Sequence, residues 1–371
     1  MYYENKREKT RKNLMAIIFM VIVIALLASL NLRLQLLHEN NVQSEYSTER
    51  LDTVVEEPEQ DEKDYNFIEE ACESIVGISK LRSSEKNIFT GMNSSTVGQG
   101  SGVIITENGY ILTNQHLAGN KFSTCYVTLA NGKNYDGSVI WSDENIDLSI
   151  VKIPGAALKY LTLGESESAK LGEDVYAIGN PIGFEFQRTV TKGIISGLNR
   201  TIKIEENEKL SYMEDLIQTD STINTGNSGG ALINTKGELL GINTIKIPEA
   251  EGIGFAVPID IVKPIIDKLV NNGKFEEAYL GIYGYDKEVI PYLDGSIELD
   301  NGIYVDSVSI DGPVYNSGIV SGDIITKIDG VELNKMSDLR KYIYSKKPGD
   351  KVKLTVSRKY KDFGVEIKLG Y

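Results

Sequence analysis

His116 is the one imidazole available for proton chemistry in the part of this chain patterned to fold. The sequence of 371 residues holds two histidines, and His38 stands beside a long apolar run, away from any globular pattern. His116 ends Thr113-Asn114-Gln115-His116, just after the strand patterns Ser101-Gly102-Val103-Ile104-Ile105 and Tyr110-Ile111-Leu112. Asp147 stands directly before the apolar run Leu148-Ser149-Ile150-Val151. Ser228 lies in Thr225-Gly226-Asn227-Ser228-Gly229-Gly230, a hydroxyl with glycine close on both sides. A serine hydroxyl is inert at its own pKa and needs an adjacent base. An imidazole can take that proton and return it to a leaving amine, while a carboxylate fixes the imidazole tautomer. The chemistry open to this set is peptide-bond hydrolysis.

Each residue alone says little. A glycine-flanked serine is often only a turn, a histidine after a strand is often structural, and Asp143 and Asp220 rival Asp147. Together, in the order His, Asp, Ser and each at a strand end, they follow the chymotrypsin-type arrangement. The turn around Ser228 must then aim backbone N–H groups at a developing oxyanion. Gly226 and Ser228 are the expected pair, each donor contributing about 3 kcal/mol in the transition state. The stretch Thr222-Ile223-Asn224 precedes the turn where such enzymes place the S1 pocket, with Thr222 and Ile223 as its expected residues. It holds no acid to pair a Lys or Arg, and an unpaired buried charge is costly, so cleavage after small or medium apolar residues is expected.

The elements that must position these groups read as β-structure. From Tyr65 to about Ile261, short apolar runs alternate with Gly, Asn and Asp turns, as in Tyr126-Val127-Thr128-Leu129 before Ala130-Asn131-Gly132. That pattern predicts a barrel or sandwich. Ile261–Val270 has helical spacing, with Asn271-Asn272-Gly273 as its stop. A smaller unit follows, with strand patterns at Gly302-Ile303-Tyr304-Val305, Gly322-Asp323-Ile324-Ile325 and Val352–Val356. An amphipathic stretch lies near Ser337–Tyr344, so the unit reads as a compact α+β module.

Ahead of these units, Leu14 to Leu30 is almost unbroken apolar sequence, and roughly 17–20 such residues span a bilayer core. Lys6, Arg7, Lys9, Arg11 and Lys12 precede it. Positive charge stays inside, so a single-pass helix with the N-terminus in the cytoplasm and the rest of the chain outside is expected. A cleaved signal peptide is the alternative. Glu39–Asp64 is acidic and poor in large apolar residues, a tether rather than a folded element.

The net charge of −14 argues against a nucleic-acid partner. Cys72 and Cys125 rule out a disulfide framework and lack metal-ligand spacing, leaving only their mutual pairing open. One histidine in the folded part excludes a histidine-rich metal site, and the chemistry calls for no metal or other cofactor.

Several segments in succession resemble the signatures of the HtrA/DegP family. They are Gln99-Gly100-Ser101-Gly102-Val103-Ile104, Thr113–His116, Asp147–Lys152, Gly179-Asn180-Pro181, Thr191–Ser196, Gln218-Thr219-Asp220, Gly226–Gly230 and Gly252–Pro258. The tail resembles the PDZ domain that follows the protease in that family, with Tyr279-Leu280-Gly281-Ile282 matching its carboxylate-binding loop. The resemblance implies a chymotrypsin-like double β-barrel of two six-stranded barrels followed by a small PDZ domain. It also implies a membrane-tethered or exported serine endopeptidase of protein quality control, acting on unfolded or misfolded proteins and assembling as a homotrimer, with His116, Asp147 and Ser228 as its triad.

The resulting layout is a basic tail and transmembrane helix over 1–33, a linker over 34–64, the protease over 65–272 and the PDZ unit over 273–371. Leu117, Thr225 and Ala231 depart from the family's usual residues beside the triad and bear on loop rigidity rather than reaction class. A chaperone or a PDZ-based binding scaffold is the competing reading, and it would tolerate loss of His116 or Ser228.

Overall fold

The structure is a computed structural model that describes residues 15, 20–35, 65–81, 97–180, 189–206, 209–224, 226–246, 252–293 and 297–371. The chain divides into two compact units, Met1–Lys63 and Asp64–Tyr371. In the first, residues 20–35 are helical with exposed side chains. Among the described residues no helix is long and apolar enough to cross a membrane. Leu14, part of the apolar run after it, and the acidic stretch Glu39–Asp64 lie outside the described residues.

The second unit is mainly β. A short helix, α1 (Asn66–Glu73), leads into six antiparallel strands: β1 (Ile75–Leu81), β2 (Val97–Ile104), β3 (Tyr110–Asn114), β4 (Thr124–Thr128), β5 (Asn134–Asp143) and β6 (Leu148–Lys152). They close into a barrel in the order β1-β2-β3-β6-β5-β4. Six more follow: β7 (Asp174–Gly179), β8 (Thr189–Glu206), β9 (Lys209–Thr219), β10 (Ala231–Asn234), β11 (Leu239–Lys246) and β12 (Gly254–Pro258). These close in the order β10-β11-β12-β9-β8-β7. Closure leaves neither sheet an unpaired edge.

Alternation explains the barrels' interiors. Along β5 the buried positions fall on every second residue through Gly137, Val139 and Trp141, as a strand with one face inward requires. Val76, Ile111, Val127 and Val151 fill the first barrel, and Val175, Ile195, Ile217 and Leu232 fill the second. A third cluster joins the barrels, built on Leu112, Trp141, Leu148, Ile178, Ile233 and Ile242. Each such side chain contributes about 1.5–3 kcal/mol on burial. Strand β3 is buried at all five positions because it faces both its own barrel and this inter-barrel cluster.

Helix α3 (Lys263–Asn272) begins slightly later than the apolar spacing suggests, because Ile259–Ile261 forms a 3-10 turn and a proline occupies the first helical turn. It stops at Gly273, whose φ of 69° gives the left-handed cap. The short helix α2 is Gln115–Ala118, directly carrying His116.

Beyond α3 lies a third sheet of β13 (Ile282–Tyr285), β14 (Ile303–Val308), β15 (Ile324–Ile328), β17 (Lys351–Arg358) and β18 (Lys361–Lys368) in that order, with β16 (Val331–Glu332) on β15. Helices α4 (Ile290–Leu293) and α5 (Met336–Ser345) complete the module. Its core is Leu280, Ile303, Val305, Ile325, Leu354 and Val356. Cys72 and Cys125 are both buried, in different clusters, and are not bridged.

Candidate active site and peptide groove

Asp147 takes the left-handed backbone conformation, with φ at 51°. Its carbonyl accepts from Asn114 Nδ2 and the Gln115 N–H, both at 3.1 Å. That anchors the loop before β6 to the end of β3 and turns the Asp147 carboxylate toward α2. There His116 Nδ1 lies 2.8 Å from Asp147 Oδ2 and 3.0 Å from Oδ1, and the His116 backbone N–H donates to Oδ1 at 3.0 Å. With Nδ1 donating to a carboxylate that is only 14% exposed, the tautomer is fixed with Nε2 as the free acceptor. Nε2 has no partner among the described residues.

Ser228 approaches this pair from the second barrel. Its Oγ donates to the Thr244 carbonyl at 3.1 Å, while Thr244 Oγ1 donates to Asp147 Oδ2 at 2.8 Å. Thr244 therefore stands between the Ser228 hydroxyl and the Asp147 carboxylate, touching both. No hydrogen bond joins Ser228 to His116 among the described residues.

The turn around Ser228 is held from both barrels. Ser101, on β2, gives its N–H to the Ser228 carbonyl at 2.8 Å. Its hydroxyl donates to the Gly226 carbonyl and accepts from the Asn180 N–H. On the other side Gly229 N–H donates to the Asn243 carbonyl at 2.8 Å, and Asn243 N–H to the Gly230 carbonyl at 2.9 Å. Gly229 has a φ of 79°, and a Cβ there would sit 2.1 Å from the Ser101 carbonyl oxygen. Only glycine fits. The N–H groups of Gly226 and Ser228 have no partner among the described residues, and Gly226 has a φ of 106°. Thr225 lies outside the described residues.

Thr222 is exposed, and its carbonyl accepts from Thr191 Oγ1 at 3.0 Å and Asn227 Nδ2 at 3.1 Å. Ile223 is 2% exposed and its side chain packs into the core of the second barrel. Asp220 accepts the Ile194 N–H at 2.7 Å and would clash with any side chain at position 193.

In the third sheet, Tyr279 pairs with Gly370 through two backbone hydrogen bonds. Leu280 is buried in the core, and Gly281, at φ 84°, passes so close to Gly312 that a Cβ would lie 2.7 Å from its Cα. Ile282 opens β13 opposite Val308. The N–H groups of Leu280 and Gly281 have no partner among the described residues, the arrangement that suits a carboxylate.

Residues 100–242 match the trypsin-like peptidase domain family and residues 292–369 the PDZ domain family. The chain is similar to the serine protease Do-like HtrB of Bacillus subtilis (strain 168), 40% identical over 316 residues, which cover 80% of this chain and 68% of that one. It is also similar to the periplasmic pH-dependent serine endoprotease DegQ of Escherichia coli (strain K12), 35% identical over 73% of this chain and 59% of that one. Among solved structures, an HtrA-type protease AlgW with tripeptide superposes with a TM-score of 0.59 at 32% identity, covering 82% of this chain and 96% of that one. The chain belongs to the HtrA family of serine proteases.

Two residues of this HtrA protease that touch the site were not among the expected site residues: Thr244, which no motif covers, and Ser101, which lies in the Gln99–Ile104 signature without a role read from it. Both are polar and buried at 3% or less within apolar strand patterns. That mismatch is the signal that could have found them, since buried hydroxyls need partners.

The HtrA protease also builds a polar seam between its PDZ module and both barrels, with Asp143 on β5 of the first and Asp215 on β9 of the second. Arg340, on α5, pairs with Asp143 at 3.1 Å, and Tyr344 donates to the same carboxylate. Burial pushes Asp143 up, but Arg340 and the hydrogen bonds from Tyr344 and Asn145 outweigh it and hold the carboxyl below its usual range. Lys335 and Ser337 both reach Asp215, and Lys341 reaches Glu167 at 2.7 Å. A cavity of about 930 Å³ runs along the seam from His116 and Asp147 to Leu280, Gly281, β13 and α5.

Proposed function

We propose that this HtrA protease is a membrane-anchored endopeptidase, acting outside the cytoplasm on unfolded or misfolded exported proteins, with His116, Asp147 and Ser228 as its triad. One observation carries the triad: the imidazole–carboxylate pair at 2.8 Å meets the glycine-rich serine turn through a shared Thr244. In the reaction the Ser228 hydroxyl turns from the Thr244 carbonyl toward His116 Nε2, which takes its proton as Oγ attacks the scissile carbonyl. Asp147 stabilises the imidazolium, and the same proton then goes to the leaving amine. Gly226 and Ser228 N–H groups receive the oxyanion. Thr222 borders the S1 pocket through its backbone, with Ile223 supporting it from the core, and the absence of an acid in Thr222-Ile223-Asn224 favours small or medium apolar residues before the cut.

Tyr279, Leu280, Gly281 and Ile282 form the loop that receives a peptide's free C-terminus, which adds as a strand to β13 and tunes the protease. The basic cluster Lys6–Lys12 ahead of the apolar run supports the anchor and its orientation, and the periplasmic location in the name of the E. coli relative supports action outside the cytoplasm. Homotrimeric assembly is what the family resemblance adds. The deciding experiment is labelling by a fluorophosphonate, which reacts only with an activated serine, alongside cleavage of an unfolded protein with the product termini identified. Labelling and cleavage that both vanish in Ser228→Ala support the reading. Cleavage persisting in that variant overturns the triad, and termini dominated by Lys or Arg overturn the S1 reading. Trimming of the protein by protease added outside intact cells tests the topology, and sedimentation tests the trimer.

A further inference from the structure

The groove between β13 and α5 is not walled by the PDZ module alone. Strand β9 of the second barrel supplies Tyr212, Met213 and Glu214 to the same cavity. Tyr212 and Glu214 are two apart on a strand and so share a face. Tyr212 packs against Tyr285 at the far end of β13, ring centroids 6.0 Å apart, and against Tyr292 at 5.8 Å. Glu214 lies beside the same end, near Asp286, Arg340 and Asp215.

Two polar atoms on that face are sealed from solvent with no hydrogen-bond partner, Tyr212 Oη and Glu214 Oε1. Such atoms are uncommon in a folded protein and point to a missing partner. Arg340, whose charge acts on Glu214, is committed to Asp143. Glu277 also lines the cavity, and burial followed by the Asp143 charge raises its carboxyl. The seam is therefore richer in carboxylates than in cations to pair them, and a ligand bringing a cation would relieve a buried, underpaired acid.

We propose that Glu214 is a specificity-determining residue of the PDZ groove, selecting peptide C-termini that carry a lysine or arginine a few residues before an apolar last residue. The position follows from strand geometry. A ligand chain antiparallel to β13, with its carboxylate at Leu280–Ile282, has its residue about three or four from the end opposite Tyr285 and Asp286, where Glu214 waits. The tyrosine ring beside it adds an aromatic face for the cation. The inference rests on the reading of the groove as a peptide site.

The test, run at pH 9 so that Glu214 is ionised while the peptide lysine keeps its charge, measures fluorescence anisotropy of ten-residue peptides with free C-termini, binding to the full chain carrying Ser228→Ala so that nothing is cut. The peptides end in valine and carry lysine, norleucine or glutamate three or four residues before the end. The lysine peptide is expected to bind about tenfold more tightly than the norleucine peptide, with glutamate weakest. In the Glu214→Gln background that advantage is expected to fall below about twofold. Equal binding of lysine and norleucine peptides overturns the proposal, and that comparison needs no variant at Glu214. A lysine preference that survives Glu214→Gln overturns it as well. If no free-acid peptide binds better than its amide, the peptide-site reading itself fails, an outcome distinct from binding without charge preference.

Discussion

Thr244 touches both ends of the proposed triad, its carbonyl accepting the Ser228 hydroxyl and its own hydroxyl steadying Asp147. Ser228→Ala should lower proteolysis by about 10⁴-fold or more while leaving the melting temperature nearly unchanged, because a turn hydroxyl adds little to the core. Steady-state kinetics with thermal melting checks both halves. Thr244→Val keeps shape but removes a hydrogen bond to a charged group. We expect kcat to fall about tenfold with KM little changed, since the loss acts on Asp147 and not on bound substrate. A change confined to KM would place Thr244 in substrate binding instead. The order of His116, Asp147 and Ser228 was legible in the chain because each sits in a local turn at a strand end. Thr244 was not, because its value depends on β11 reaching across to Asp147, a non-local pairing that no short motif encodes.

Strand β9 serves two masters, pairing with β8 and β12 in its barrel and walling the groove with Tyr212 and Glu214. Burial, and after it the charge of Asp286, pushes Glu214 from 4.5 up to about 8. The folded state thus keeps a proton that the unfolded chain releases, so stability present at low pH is lost as pH rises through about 8. Glu214→Gln mimics the protonated form. Its melting temperature relative to wild type should rise between pH 6 and pH 9, as differential scanning calorimetry across that range would show, and a constant difference would remove Glu214 from the pH response. Short strands separated by turns, and the helical stop at Gly273, were legible from alternation and turn residues. The division into two barrels and a PDZ module came from the family resemblance, and the short helices α1, α2 and α4 left no periodic signal. The wall formed by β9 was not, because Tyr212-Met213-Glu214 reads from sequence as an ordinary barrel strand.

Across the whole molecule, the seam between barrel and PDZ module depends on a few charged groups, with Arg340 and Asp143 at its centre. Asp143→Ala strands a buried guanidinium, for which we expect a loss of about 3 kcal/mol in urea unfolding and a larger radius of gyration by small-angle scattering. Removing both partners in Asp143→Ala with Arg340→Met should recover much of the stability. Ser101 has a wider consequence. One residue of the first barrel fastens Ser228 and Gly226 of the second, and Gly229 fits only against its carbonyl. The two barrels cannot drift apart and keep the Ser228 turn in shape. A copy whose barrels begin to part under heat therefore loses the shape of the Ser228 turn as they separate.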